Sequence, residues 1–275
     1  MTDVEVVYAF LENRKKKDRL VLPGSKFQYV DFTGIDLQES DLRDADFSHA
    51  ILRNIDLSRA NLKGACFDDA DLAGATLNRS LLYGASFKNA NLKGAHFEFA
   101  KLIGVNLSTA KLMGCNFYHA DLSYSYCRGN LVDFVNLKEA NLSNSDFSNS
   151  DLSDSNMSGA KLVFANFSKS IFNHSLFIGA NLNNANFKEA YSSFADFTKA
   201  DMTRIEMDKA SFRGSDMKDT LMVHARLGDA KLTNVNLSNS VMSGADFFGT
   251  KLYGANLTGA EIDGAWDVED LRNEF

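Results

Sequence analysis

The sequence predicts an all-β solenoid: a parallel β-helix of four-sided cross-section, entered through a short helix. Three observations predict it. A large apolar residue recurs at every fifth position from Phe27 to Ile262, and the phase never slips. A small residue, mostly Ala or Ser, stands two before each of these centres, and Asp or Asn often stands one before. Residue type at the centres repeats again every twenty residues.

Of the 48 centres, 23 are Leu, 15 Phe and 6 Met; the others are Ile262, Val132, Cys127 and Ser192. A period of five fits neither an amphipathic helix nor a strand. It sends one large and one small side chain inward per unit only if the chain turns at every unit. Sorting the centres by a twenty-residue cycle gives the turn count. The column that begins Phe27, Phe47, Phe67, Phe87 is mostly Phe, whereas the column of Leu42, Leu62, Leu82 and Leu102 contains none. Like residues therefore stack every twenty, and four units close one coil. About 12 coils at ~4.8 Å make a rod roughly 58 Å long.

Units such as ADLSY, ANLKG, ADFSH and ANLTG carry an A-(D/N)-(L/F)-x-x motif, and on them the chain resembles the pentapeptide-repeat proteins. That resemblance implies a right-handed quadrilateral β-helix with Leu and Phe stacked inside and small residues at the corners. Residues 1–22 then form an N-terminal capping helix and lead-in, 23–265 the β-helix and 266–275 a C-terminal cap. Glycines two after the centre (Gly64, Gly84, Gly104, Gly244, Gly264) suit a turn with positive φ. Asp or Asn before the centre suits a local hydrogen bond to turn backbone, which accounts for most aspartates without catalysis.

Solenoids expose an unpaired edge at each end and need caps. Thr2 and Glu5 fit a capping box, and Val4, Val7, Tyr8 and Leu11 share a helical face, so residues 2–17 are expected to form a helix over the first coil. The basic stretch from Arg14 to Arg19 suits a solvated helix end. At the other end Trp266, Leu271 and Phe275 are candidates either to cap the last coil or to join two copies into a homodimer, since family members resemble end-to-end dimers.

The balance of charge, 29 Lys and Arg against 36 Asp and Glu, supplies no basic footprint for direct nucleic-acid binding. No apolar run is long enough to span a bilayer and no secretory leader opens the chain, so no membrane role and a cytoplasmic location are expected. The five histidines fall in different columns, and no nucleophile, phosphate-loop or metal-ligand motif is present. No catalytic residue, metal or cofactor is assigned, and the protein is read as not an enzyme. Cys115 and Cys127 are expected to be inert core thiols, with Cys66 outward.

Two binding functions remain. The first is a scaffold that docks a protein partner on its outer faces, with Leu81, Tyr83, Ile103, Tyr124, Val163 and Phe164 as candidate contacts. The alternative, implied by the resemblance, is mimicry of B-DNA toward a type II topoisomerase such as gyrase; a secreted bacterial effector module is a third class. A DNA mimic needs acid along its whole length. Here the charge is banded: residues 81–120 and 161–200 are net basic between acidic stretches, within a total of −7.

Two stretches break the pattern. In SYSYCRGNLVDFV (123–135) the centres keep register, so it is no linker, and Tyr126 or Leu131 is expected to cover the volume left by Cys127 and Val132. Asn130 occupies a small inward position and must find backbone partners or cost ~1–3 kcal/mol. Ser192 is a polar centre that forfeits roughly 1.5–3 kcal/mol of burial unless Tyr191 or Phe194 turns inward, which is the expectation.

Overall fold

The computed structural model describes residues 1–13, 15, 18–130 and 132–267. It is a repeat β-solenoid. Parallel bridges join residues twenty apart, from Val21 with Asp41 to Asp246 with Trp266. The twenty-residue cycle read from the centres is therefore the coil.

A five-residue unit with Asp or Asn before its centre disposes of all its backbone donors. Around Phe47 the centre N–H donates to Cys66 O in the next coil at 2.7 Å, and His49 N–H to Asp68 O at 2.9 Å. Asp46 N–H reaches back to Ser25 O at 2.9 Å, and Ala50 N–H closes the turn on Phe47 O at 3.0 Å. The fifth donor, Ser48 N–H, has no backbone acceptor, and Asp46 Oδ1 takes it at 3.1 Å. The Asx residue before the centre thus replaces a missing carbonyl. Ser58 on Asp56, Tyr118 on Asn116 and Ser168 on Asn166 repeat the arrangement.

Turning four times per coil requires a left-handed residue two after each centre. Gly24, Gly64 and Gly104 have φ near +70°, and Asn54, Asp69 and His119 adopt the same conformation at 53–59°. Gly, Asn and Asp enter this region readily; bulky residues do so at a cost of roughly 1–2 kcal/mol.

The interior is mostly apolar. Phe27, Phe47, Phe67 and Phe87 stack with centroids 5.0, 5.0 and 4.8 Å apart. Serines at the small inward positions lie buried with their hydroxyls spent on carbonyls. Ser40 and Ser80 donate to the centre three residues back, whereas Ser150, Ser170 and Ser175 donate to the preceding coil.

Helix α1 (Asp3–Asn13) is shorter than the expected 2–17. The capping box forms: Thr2 N–H donates to Glu5 Oε2 at 2.7 Å and Glu5 N–H to Thr2 Oγ1 at 3.3 Å. Val7 is fully buried, and Val4, Phe10 and Leu11 pack partly against the core. Two groups of α1 occupy edge groups of the first coil: Asp3 Oδ2 accepts from Lys26 N–H at 2.8 Å, and Tyr8 Oη donates to Asp31 O at 3.4 Å. Of the basic stretch, Arg14, Lys16 and Lys17 lie outside the described residues.

The irregular coils correct two expectations. Neither Tyr191 nor Phe194 turns inward; both are exposed, and Ser192 is buried with its hydroxyl on Phe172 O at 3.0 Å. The missing volume is taken by other rings. Phe172, one coil before, and Phe212, one coil after, both meet Phe187, at 5.1 and 6.1 Å, and Phe197 meets Phe212 at 5.5 Å. There three consecutive residues pair instead of one: β1 (Tyr191–Ser193) pairs in parallel with β2 (Ser211–Arg213). Likewise Tyr126 is exposed and does not cover Cys127 and Val132; Leu131 lies outside the described residues. Asn130 is half satisfied: its Nδ2 donates to Leu107 O at 2.8 Å, while Oδ1 is buried without a partner.

Candidate interaction surfaces

Because every inward position is spent on packing, chemistry is confined to three outward positions per unit: one before, one after and two after the centre. The first two line a flat face; the third stands on the left-handed corner. Residues at one position form a ladder along the axis, one rung per coil at ~4.8 Å.

The six expected contact residues distribute over three such ladders. Leu81 is half-buried in the ladder Asn61, Leu81, Lys101. Tyr83, Ile103 and Val163, also half-buried, belong to a second ladder, held by Gly84 N–H on Ile103 O and Gly104 N–H on Ser123 O. Tyr124 and Phe164 are on the corner ladder instead, with Gly84, Gly104 and Asn144, at φ 59°. Tyr124 is therefore beside Tyr83 and Ile103 and not in line with them; Ser123 is the residue in line. Between these residues the surface is interrupted by one polar position. Ser123 and Ser143 are buried, with hydroxyls turned onto Asp121 and Asn141 at 2.8 Å, leaving Asn144 as the exposed break. Tyr83 carries the Lys63 ammonium 5.2 Å from its ring centroid.

Tyr124 and Phe164 are the prominent members, 61% and 59% exposed. Both are bulky residues in a conformation that favours Gly or Asn, and neither earns back that strain by burial.

Trp266 is 70% exposed and pairs with Asp246 on the last rung of a side face. With His224, Arg226 and Phe248 it borders an open groove of about 420 Å³. It does not lie across the end of the rod. Leu271 and Phe275 lie outside the described residues.

Sequence reasoning missed two aromatic groups on other ladders. Phe99 stacks on His119 at 5.1 Å, with Arg79 5.0 Å from its centroid and Glu139 2.7 Å from His119 Nε2. Elsewhere His174 stacks on Phe194 at 5.8 Å, beside exposed Tyr191. Sorting the outward positions by the same twenty-residue cycle would have exposed both, since each stacked pair is twenty apart.

The titratable groups fit a structural role. Burial pushes the Cys115 and Cys127 thiols up to about 12, and Cys115 Sγ lies 3.0 Å from Leu92 O. Burial also raises Cys66, which is half-buried. A side-chain hydrogen bond from Arg43 lowers Asp41. Burial and the nearby Asp151 and Asp154 raise Asp133. Among the described residues no group of three or more His, Cys, Asp or Glu could hold a metal, and no helix is long and apolar enough to cross a membrane.

The chain is similar to several solved structures. One is HetL, a pentapeptide repeat protein involved in heterocyst differentiation regulation from the cyanobacterium Nostoc sp. strain PCC 7120, at 23% identity over 96% of each chain with a TM-score of 0.30. Another is Rfr23 from the cyanobacterium Cyanothece 51142, at 21% identity over 54% of this chain and 97% of that one, TM-score 0.36. A third is full-length QnrB1, a plasmid-mediated fluoroquinolone resistance protein, at 20% identity over 87% and 92%, TM-score 0.24. No curated protein matches. The family model described as Pentapeptide repeats matches in 8 copies, over residues 25–64, 40–79, 65–98, 90–125, 134–173, 175–214 and 225–264. With its core, turns and coil all built on that five-residue unit, the chain belongs to the pentapeptide-repeat family.

Proposed function

We propose that this protein is a non-catalytic scaffold that binds a protein partner through the face and corner bearing Leu81, Tyr83, Ile103, Tyr124, Val163 and Phe164. The carrying observation is the placement of Tyr124 and Phe164, exposed and left-handed. The left-handed corner recurs in every unit; what supports a role here is a large ring left exposed on that corner next to a half-buried aliphatic stripe. Aromatic side chains beside a half-buried aliphatic stripe are what protein interfaces use as anchors. The exposed Asn144 between them divides the surface into two contact points about 10 Å apart along the axis.

Within this reading residues 1–22 cap the first coil through α1, 23–265 wind about twelve right-handed coils, and 266–275 serve the far end, where Trp266 is the candidate for self-association. The buried Val7 and the edge groups taken by Asp3 and Tyr8 support the capping role. The test is a comparison of the parent with the Tyr124→Asn/Phe164→Asn variant in a pull-down. A partner held by the parent and lost by the variant supports the scaffold; identical retention overturns it. Inhibition of gyrase supercoiling that fades with added salt, and is unchanged in the variant, would replace it with DNA mimicry.

A further inference from the structure

Part of a second outer face carries only positive charge. From residue 171 onward, the face whose centres are Phe172, Ser192, Phe212, Leu232 and Leu252 has no carboxylate at any outward position, although the chain is net −7. Arg213, Lys231 and Lys251 are exposed there, and among the described residues none of the three is in an ion pair. Consecutive bridges join Tyr191, Ser211, Lys231 and Lys251, and Ser193 is in register with Arg213, so the cations and Tyr191 share one continuous surface about 14 Å long. Phe194 borders it on the corner, at φ 59°. His174 stacks on one side of this ring, and its other side leans over Gly214, where a Cβ would come within 2.7 Å of it. The aromatic edge is thus held in place while remaining exposed.

We infer that this face docks an acidic protein segment, its carboxylates on Arg213, Lys231 and Lys251 and an apolar side chain against Tyr191 and Phe194. Charge complementarity selects the occupant. A neutral or basic partner would desolvate three cations and leave them unpaired. Single-stranded nucleic acid also joins cations to rings, but it needs rings at successive rungs to stack successive bases. Here Tyr191 and Phe194 form an apolar nook in one coil; His174, on the adjacent corner rung, is stacked on Phe194 itself, and the other exposed ring of the face, Tyr253, is three coils away. This face is distinct from the one bearing Tyr83 and Tyr124, so substitutions there leave its binding unchanged and the two readings fail separately.

The test is fluorescence anisotropy with a labelled peptide of glutamates carrying one Leu and one Phe. The parent is expected to bind it, more weakly as salt rises. The Arg213→Ser/Lys231→Ser/Lys251→Ser variant should bind at least about tenfold more weakly, the combined effect of three exposed ion pairs. Tyr191→Asn/Phe194→Asn should weaken it comparably while keeping the fold, because Asn is at home at both positions. A control variant, Lys88→Ser/Lys93→Ser/Lys111→Ser, should bind as the parent does. Absence of binding, equal weakening by the control, no effect of the aromatic variant, or tighter binding of an oligothymidylate would each overturn the inference.

Discussion

Replacing Ser192 with Leu tests how the irregular coil is packed, and its sign is informative. If the polar centre left a void, Leu would fill it and stabilise the coil by up to ~1.5–3 kcal/mol of burial. The structure argues the opposite. Phe172 and Phe212 stand one coil either side of Ser192, and both already meet Phe187, which also lies 5.1 Å from Phe167 and 6.0 Å from Phe177. Leu would have to push rings that are packed on several sides, and overpacking a filled core costs ~1–3 kcal/mol. It would also remove the hydroxyl bond to Phe172 O, a further ~0.5–1.5 kcal/mol. A net loss of ~2 kcal/mol is expected in urea unfolding, with Ser192→Ala costing no more than ~1 kcal/mol. Hydrogen exchange at neighbouring coils should localise the loss, since solenoid stability is a sum over neighbours. Stabilisation by Leu of 1 kcal/mol or more would refute the account, because only an open void permits it.

Other outcomes follow from the same geometry. Tyr124→Asn and Phe164→Asn relieve left-handed strain and should leave stability unchanged or raise it by ~0.5–1 kcal/mol in urea unfolding; a loss above ~1 kcal/mol would mean these rings serve the fold. Asn130→Ser should stabilise by ~1 kcal/mol, because it removes the partnerless Oδ1 and continues the hydroxyl ladder of Ser150 and Ser170. Native protein treated with a thiol reagent near pH 8 should react at Cys66 alone, while denatured protein reacts at all three cysteines, which mass spectrometry resolves. For Asp133, burial and the charges of Asp151 and Asp154 raise the folded pKa above 3.8, so ionisation opposes folding. That penalty is absent below the unfolded pKa and grows as pH rises through the folded one. Asp133→Asn should therefore raise the urea midpoint at neutral pH, and the gain should vanish on acidification below 3.8.

The architecture was legible because it is local. Each five-residue unit encodes its own turn and its own inward pair and, where an Asx stands before the centre, the acceptor for its one spare donor, as Asp46 does for Ser48. Register needed no long-range information: the Phe column from Phe27 to Phe87 announced its own stacking. The surface was less legible. Tyr83, Ile103 and Tyr124 look collinear in sequence, yet one turn position separates a half-buried face residue from an exposed corner residue. The stacks of Phe99 on His119 and of His174 on Phe194 join residues twenty apart, so no single unit encodes them.

By itself, then, the sequence determined the five-residue turn, the twenty-residue coil and the identity of the inward side chains, because a repeat that satisfies its own backbone leaves no competing fold. Only the tertiary structure decided where Tyr191, Phe194, Tyr126 and Ser192 go. For the polar centre Ser192, the deciding rings come from the coils twenty residues before and after. The expected inward turn of Tyr191 or Phe194 lost to Phe172 and Phe212, which had already filled the space. Those two rings keep the outward positions that their places in the unit assign, on the acid-free face.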